Sequence, residues 1–153
     1  IYLMKRAVFP GSFDPITIGH LDIVNRSLKV FDEIIIGIGE NTDKKYMFSS
    51  DKRTEYVDTV FKKNDNVTVK TYSGLTVDFC KKNNSNFLIR GLRNPSDFEF
   101  EKGIALTNRK ISDIETVFFL TSVENSHISS SIVRELIRNN GDYQLFIPKG
   151  III

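Results

Sequence analysis

The sequence has little cysteine and proline and no long hydrophobic run, and these shortages exclude several classes of protein. Its single cysteine, Cys80, cannot form a disulfide within the chain, so the fold is not a disulfide-stapled scaffold. No stretch approaches the roughly 18 consecutive apolar residues of a transmembrane helix, and residues 4–6 lead into a short apolar run without the layout of a signal peptide. We therefore expect a cytoplasmic protein, with Cys80 buried as a small hydrophobic side chain.

The charge balance is also unremarkable, because 21 basic residues stand against 19 acidic ones. A net charge of +2 is too small to suggest a nucleic-acid-binding or membrane-binding surface, which needs a clustered basic face. The length of 153 residues is that of one domain with its own core. We expect residues 1–3, which precede Met4, to be extra residues outside the fold, and we find no internal repeat, low-complexity tract or linker.

Hydrophobic periodicity alternates between strand and helix along the whole chain. Apolar or alternating runs predict strands at 7–9, 33–38, 67–72, 87–90 and 116–120. Helical spacing predicts helices at 20–31, from a cap within 49–51 to 61, at 75–82, at 95–110, and from a cap within 129–131 to 138. Strand and helix alternate five times, which predicts an α/β fold: a Rossmann-like, doubly wound, parallel five-stranded sheet with helices on both faces.

Ligands of such sheets bind outside the carboxyl ends of the strands, where the strand order reverses. The segments that follow the predicted strands, and that we expect at this edge, are 10–20, 39–45, 73–76, 90–93 and 120–131.

The segment from Pro10 to His20 has the composition of an anion-binding loop. Two glycines and two prolines force a compact turn, and Gly19 lets the backbone approach a ligand closely. The helix that follows offers free N–H groups and the positive end of its dipole, with His20 in its first turn. The alternative is an ordinary strand-to-helix connection with a histidine that caps or packs. The loop matches neither a Walker A motif nor the G-x-G-x-x-G pattern.

Two further features suggest phosphate chemistry. Arg90 ends a strand that is otherwise apolar, and packing alone does not explain a charge there. Ser129, Ser130 and Ser131 open the last predicted helix, where hydroxyl and N–H groups can cap the helix and bind phosphate at the same time. No general base and no nucleophile–base pair stands out in the sequence.

Four segments in this order resemble the bacterial phosphopantetheine adenylyltransferases, members of the nucleotidyltransferase superfamily. They are the T/H-x-G-H signature at Thr17–His20 and the segments 90–93, 97–101 and 128–131, and the similarity runs from about residue 5 to residue 148. The resemblance implies one nucleotidyltransferase domain that transfers AMP from ATP to 4′-phosphopantetheine, giving dephospho-coenzyme A and pyrophosphate. It also implies Mg²⁺ as the cofactor, a homohexamer, and coenzyme A as a candidate feedback ligand.

The resemblance also implies roles for individual residues. His20 would stabilise the transition state at the α-phosphate, with Lys44 and Arg93 as further catalytic cations, and the attack would be in line without a covalent enzyme intermediate. The acceptor, 4′-phosphopantetheine, would contact Ser12, Lys44, Thr76 and Arg90. ATP would contact Ser12, Phe13, His20, Gly91, Leu92, Arg93, Glu101, Ser126, His127, Ile128, Ser129, Ser130, Ser131 and Ile132. Mg²⁺ would be held by the ATP phosphates and not by protein ligands. Asp97 and Glu99 are interpreted as a solvated acidic face.

The chain departs from the family pattern at two places. Asn125 stands where the family usually has an aromatic residue, which affects the expected packing against adenine. The apolar end Ile151–Ile153 has no obvious cover within the chain.

Three other functions remain open at this point. A sister nucleotidyltransferase acting on nicotinamide mononucleotide or glycerol 3-phosphate would share the signature loop and differ at Lys44, Thr76 and Arg90. A nucleotide-sensing module without turnover would not need transition-state donors such as His20. A flavodoxin-like electron carrier would be yellow.

Overall fold

A computed structural model describes residues 1–153, which form one parallel sheet covered by helices. The strands are β1 (Arg6–Gly11), β2 (Glu33–Gly39), β3 (Val67–Tyr72), β4 (Phe87–Leu92) and β5 (Glu115–Leu120). All neighbouring strands pair in parallel, in the order β3-β2-β1-β4-β5. The strand order reverses beside β1, so the edge beyond the carboxyl ends of β1 and β4 is where a ligand is expected.

The helices are α1 (Ile18–Ser27), α2 (Ser50–Phe61), α3 (Thr76–Lys82), α4 (Pro95–Ser112) and α5 (Ser130–Arg138). Helix starts agree with the sequence signals: the side chains of Ser49, Asn94 and Ser129 cap α2, α4 and α5, and Pro95 is the first residue of α4. Helix α1 starts two residues before the predicted start and ends at Ser27, four residues before the predicted end.

The core lies on both faces of the sheet, because successive side chains of each strand point in opposite directions. On one face, isoleucines 34, 36 and 38 of β2 belong to a buried cluster with residues of α1 and α2. On the other face, Val8, Ile35 and Leu88 pack with α3 and with Cys80. Cys80 is fully buried, as predicted, and burial raises the pKa of its thiol to about 12, so it is unreactive. No helix combines the length and the apolar character needed to cross a bilayer.

Strands β1 and β4 separate before they end. Their paired residues are Ala7 with Phe87 and Val8 with Leu88, whereas β1 and β2 pair over six residues. Pro10 carries no N–H and cannot donate to a ladder. Its carbonyl oxygen instead accepts a hydrogen bond from Arg90 Nη1 at 2.9 Å. The sheet therefore opens into a crevice between β1 and β4 at the edge where the chain carries its phosphate-binding signals.

The carboxyl-terminal isoleucines are covered within the chain, which corrects the expectation that they would lack cover. Ile151 and Ile153 pack against the cluster formed with α1 and α2, and the Tyr143 hydroxyl donates to the Ile153 carbonyl oxygen at 2.9 Å. Only Ile152 points to solvent, at 90% exposure. The cover comes from residues that are distant in sequence, so periodicity could not reveal it.

Gly37 of β2 leaves room for the rings that pack on the α3 face, and Gly37→Ala should be destabilising. An added Cβ would lie 2.7 Å from Phe79 Cε1 and 3.1 Å from Tyr72 Cε1, whose rings are stacked. We expect the free energy of unfolding to fall by about 1–3 kcal/mol, the usual cost of overpacking. Chemical denaturation measures it. Gly103→Ala in α4 is the matched control, since nothing lies within 4 Å of its added Cβ; an equal loss there would contradict the steric explanation.

Candidate active site

Two cavities open side by side at the carboxyl edge of the sheet. The first, of about 430 Å³, lies between the ends of β1, β2 and β3 and the helix α4, and its wall includes Tyr72, Thr76 and Asn108. The second, of about 420 Å³, lies over the start of α5 and over the loop of residues 10–20, which we call the phosphate loop after the anion site that its sequence predicts, and its wall includes His20 and Arg93. Six residues line both cavities: Pro10, Gly11, Ser12, Lys44, Arg90 and Glu101. Two ligands could therefore meet across one shared wall.

His20 is held by a capping box at the start of α1. The Thr17 side chain accepts a hydrogen bond from the His20 backbone N–H at 3.3 Å, and His20 Nδ1 accepts one from the Thr17 backbone N–H at 3.0 Å. Because an N–H donates to Nδ1, this nitrogen carries no proton. The neutral ring then has its proton on Nε2, which is the nitrogen left to donate to a ligand. The ring also packs against Phe13, with centroids 4.8 Å apart.

Burial, and after it the positive charges of Arg90 and Arg93, together lower the pKa of His20 to about 4. His20 is therefore neutral near pH 7 and acts as a hydrogen-bond donor, not as a cation. The positive charge of the site comes from the neighbouring lysine and arginines.

The depressed pKa of His20 predicts that acid destabilises the fold through this residue. In the unfolded chain His20 binds a proton near pH 6.5, and in the folded chain only near pH 4. The contribution of the neutral His20 to the free energy of unfolding is therefore complete above pH 6.5 and is lost as the pH falls towards 4. From pH 7 to pH 5 we expect a loss of roughly 1–2 kcal/mol, measured by urea unfolding at both pH values. In His20→Gln this part of the loss should disappear; an unchanged pH dependence would contradict the assignment.

Lys44 stands on the loop between β2 and α2 and reaches over to the phosphate loop. Its Nζ donates to Ser12 Oγ at 2.8 Å, which places the ammonium group in the wall that both cavities share. Lys44 and Ser12 stand 32 positions apart in the sequence, and the fold brings them together.

Arg90 has a structural partner that the sequence did not reveal. Its Nε and Nη2 donate to the two oxygens of Glu101 at 3.0 and 2.6 Å, and its Nη1 bridges the opened strands to Pro10 O. Glu101 is 8% exposed and is the one buried residue of α4. The ion pair thus explains the charge of Arg90, which lies within β4 and not at its end, and this corrects the sequence-based interpretation. Arg90 still faces both cavities with about a third of its side chain exposed.

Arg93 is paired as well, which corrects the interpretation of Asp97 as part of a solvated acidic face. Arg93 Nε lies 3.2 Å from Asp97 Oδ2, and the Arg93 backbone N–H donates to the same oxygen at 2.9 Å. Burial raises the pKa of Asp97, but the hydrogen bonds from Arg93 outweigh it and the pKa is lowered overall. The closeness of the two residues in the chain was the available signal, since Arg93 lies before the N-cap of α4 and outside its helical spacing. Glu99 is exposed, as predicted.

The start of α5 forms the far wall of the second cavity. Ser129 caps the helix, Ser130 Oγ donates to Pro15 O at 2.8 Å, and Ser131 Oγ accepts from Arg134 Nη2 at 3.0 Å. Arg134 also donates to Asp14 O at 2.8 Å and lines the cavity. Sequence reasoning missed Arg134, although it follows the capping serines by one helical turn and therefore shares their face.

The remaining predicted residues divide between the cavity walls and the outside. Phe13, Gly91, Ile128 and the three serines of α5 line the second cavity, as does Asn125, while Thr76 lines the first. Leu92, Ser126, His127 and Ile132 line neither. The His127 ring instead packs edge-on against Phe146.

The donor set in the cavities fits a metal that arrives with a ligand's phosphates. No group of three or more His, Cys, Asp or Glu side chains could hold an ion. The two carboxylates in the second cavity, Asp97 and Glu101, already pair with Arg93 and Arg90. Mg²⁺ commonly takes few protein ligands and is held by substrate phosphates and water.

Comparison with known proteins gives matches over nearly the whole chain. Residues 8–136 match the cytidylyltransferase-like family. The phosphopantetheine adenylyltransferase of Flavobacterium psychrophilum is 57% identical over 148 residues, covering 97% of this chain and 98% of that protein. The phosphopantetheine adenylyltransferase of Bacteroides fragilis is 46% identical over 147 residues, covering 96% and 98%.

Solved structures show the same fold at low identity. A putative nicotinate-nucleotide adenylyltransferase from Vibrio parahaemolyticus superimposes with a TM-score of 0.68 at 21% identity, covering 95% of this chain and 94% of its own. A bifunctional NMN adenylyltransferase/ADP ribose pyrophosphatase from Francisella tularensis gives a TM-score of 0.74 at 14% identity, and 45% of that chain is covered. At these identities the likeness extends to the fold and not to the acceptor.

Proposed function

The chain belongs to the cytidylyltransferase-like family and, within it, to the phosphopantetheine adenylyltransferases, and we propose that it transfers AMP from ATP to 4′-phosphopantetheine. The products would be dephospho-coenzyme A and pyrophosphate, a step of coenzyme A biosynthesis. The observation that carries the proposal is the pair of cavities that share Ser12, Lys44 and Arg90. ATP would occupy the cavity with His20 and α5, and the acceptor the cavity with Tyr72 and Thr76.

The proposed reaction is a direct, in-line displacement at the α-phosphorus of ATP. An oxygen of the acceptor phosphate forms the new bond to this phosphorus while the bond to the β-phosphate oxygen breaks and pyrophosphate leaves. The acceptor phosphate has a second pKa of about 6 and is largely ionised near neutral pH, so the attack requires no general base.

The protein's task is then to neutralise and align two phosphate groups. Lys44 and Arg90, in the shared wall, would hold the acceptor phosphate against the α-phosphate. The neutral His20 would donate from Nε2 to a non-bridging α-phosphate oxygen, where charge develops in the transition state. Arg93 and the start of α5 would bind the β- and γ-phosphates. Arg134, in the same wall, could take part in that contact.

We also propose Mg²⁺ as the cofactor, carried on the ATP phosphates, where it supplies further charge neutralisation. A cytoplasmic location agrees with the reduced, buried Cys80. Large apolar side chains are exposed on α4, at the end of β5 and just beyond it, including Phe100, Leu120 and Val123 at 70%, 70% and 87% exposure. We propose that contacts between subunits of a homohexamer cover them. Coenzyme A would share the acceptor cavity as a feedback ligand through its pantetheine arm.

The test of this function is pyrophosphate release from ATP and Mg²⁺ with a panel of acceptors. We expect release with 4′-phosphopantetheine, none with unphosphorylated pantetheine, and at most traces with nicotinamide mononucleotide or glycerol 3-phosphate. Chelation of Mg²⁺ should stop the reaction, and excess Mg²⁺ should restore it. Release with nicotinamide mononucleotide and not with 4′-phosphopantetheine would overturn the acceptor assignment.

A further inference from the structure

Arg53 is a fully buried cation without a carboxylate partner. Its side chain is among the largest that are completely enclosed, at 1% exposure, and it forms no ion pair. Burying a charge is costly unless hydrogen bonds compensate it. Here the compensation comes from three backbone carbonyl oxygens and from the Tyr46 ring, whose centroid lies 3.9 Å from the guanidinium carbon. Arg53 lines neither cavity, so it does not touch a ligand in either of them.

Two of the three carbonyl groups lie at the ends of the loop that carries Lys44, and the third belongs to Ser12, which Lys44 contacts. Gly39 ends β2 and accepts from Nη1 at 3.0 Å, and Phe48 lies just before α2 and accepts from Nε at 3.2 Å. Between them runs the loop that carries Lys44. The third acceptor, at 2.7 Å, is the carbonyl of Ser12, whose hydroxyl receives the Lys44 hydrogen bond. The Arg53 guanidinium thus connects both ends of the Lys44 loop to Ser12.

A second buried charge ties the same loop from the other side. The Asp14 carboxylate, 3% exposed, accepts hydrogen bonds from the backbone N–H groups of Met47 and Phe48 at 2.8 and 2.9 Å. The Tyr46 hydroxyl closes the loop internally by donating to Gly39 O at 3.3 Å. The end of the Lys44 loop is therefore fixed to the phosphate loop through backbone atoms, with Arg53 at the centre of the contacts.

We propose that Arg53 is a positioning residue for the transfer step, acting through the carbonyls of Ser12, Gly39 and Phe48 to hold Lys44 and Ser12 in the wall between the two cavities. The inference rests on the proposed role of Lys44 at the acceptor phosphate. A lysine cannot replace this arginine, because an ammonium group lacks the planar fork that serves three acceptors while stacking on Tyr46.

A double-mutant cycle of Arg53→Met and Lys44→Ala tests the proposal by kcat at saturating substrates. Arg53→Met should lower kcat by about 10–100-fold, since small misplacements of reacting groups cost up to about two orders of magnitude. The Kd for ATP should stay within about threefold, because Arg53 lies outside the nucleotide cavity. In the Lys44→Ala background Arg53→Met should lower kcat by less than about threefold, because the two residues act as one unit. If the fold-losses in kcat of the two single variants multiply in the double variant, the proposal is overturned.

Val57→Ala controls for a merely structural role, since Val57 is buried on the same face of α2 one turn later and its apolar side chain cannot hydrogen-bond to the loop. Assayed well below its melting temperature, it should keep the wild-type kcat; a loss equal to that of Arg53→Met would overturn the proposal. If Arg53→Met does not fold, Arg53→Lys takes its place in the cycle.

Hydrogen exchange provides a readout that does not depend on activity. In Arg53→Lys the amides of Met47 and Phe48 should exchange at least about tenfold faster, while amides of β4 stay protected. Unchanged exchange in residues 40–49 would overturn the inference. An unaffected kcat in Lys44→Ala alone would instead refute the proposed role of Lys44, so the two failures are distinguishable.

Discussion

His20→Ala should lower kcat by about 10²–10³-fold while the Kd for ATP changes by less than about threefold. The magnitude is that of removing one preorganised donor to a developing negative charge. His20 is suited to this task because Thr17 holds its Nδ1 as an acceptor and burial keeps the ring neutral, which leaves Nε2–H as a fixed donor. Steady-state kinetics gives kcat, and calorimetric titration with a non-reactive ATP analogue gives the affinity.

Two matched variants make this result specific. His127→Ala removes the only other histidine, whose ring packs against Phe146 outside both cavities, and should leave kcat at saturating ATP unchanged. His20→Gln should recover part of the loss, because the glutamine amide can place an N–H near the position of Nε2 and His20→Asn cannot. Equal losses in kcat and in ATP affinity would mean that His20 contacts the ground state and not the transition state.

Arg90→Met should have the second large effect, on stability and on the acceptor reaction together. It leaves Glu101 buried without its partner, and breaking a buried pair costs about 3–5 kcal/mol; with Arg90 one-third exposed we expect about 2–4 kcal/mol. It also removes a cation from the shared wall, so kcat/KM for 4′-phosphopantetheine should fall by at least about 100-fold. Urea unfolding and initial-rate kinetics measure the two effects.

The double variant Arg90→Met/Glu101→Leu separates these two causes. Replacing both partners by apolar side chains should restore most of the lost stability, because no unpaired carboxylate remains. The value of kcat/KM should stay low, because the cation is still missing from the shared wall. A double variant that regained activity together with stability would show that Arg90 matters only for the fold.

Helix starts that are set by capping residues could be predicted from the sequence. Helix ends that depend on tertiary packing were predicted less well. The hydroxyl caps at Ser49 and Ser129 and the proline that opens α4 act within one turn of helix, so local residues decide them. The end of α1 was predicted too late, since apolar spacing continues to Phe31 beyond the last helical turn. Phe31 is indeed buried, but from the segment between α1 and β2.

Charged residues show the limit of sequence reasoning most clearly. Asp97 stands four residues after Arg93, which lies just before α4, so a contact between these two near neighbours could have been predicted from their closeness in the chain. Glu101 and Arg53 could not, because their partners lie on other elements: Glu101 pairs across to β4, and Arg53 donates to carbonyls of two separate loops. A buried charge looks like a surface residue until the surrounding groups are known.

The sequence by itself determined the phosphate loop, the starts of the helices and the alternation of strand and helix that brings the loops to one edge. These depend on residues close in the chain: glycine and proline in Pro10–His20, capping serines, and short apolar or alternating runs. Only the tertiary structure decided that the site has two cavities with one shared wall. That wall forms because β1 and β4 separate beyond Val8 and Leu88, and because Lys44 and Arg90 are brought to the gap from separate parts of the chain.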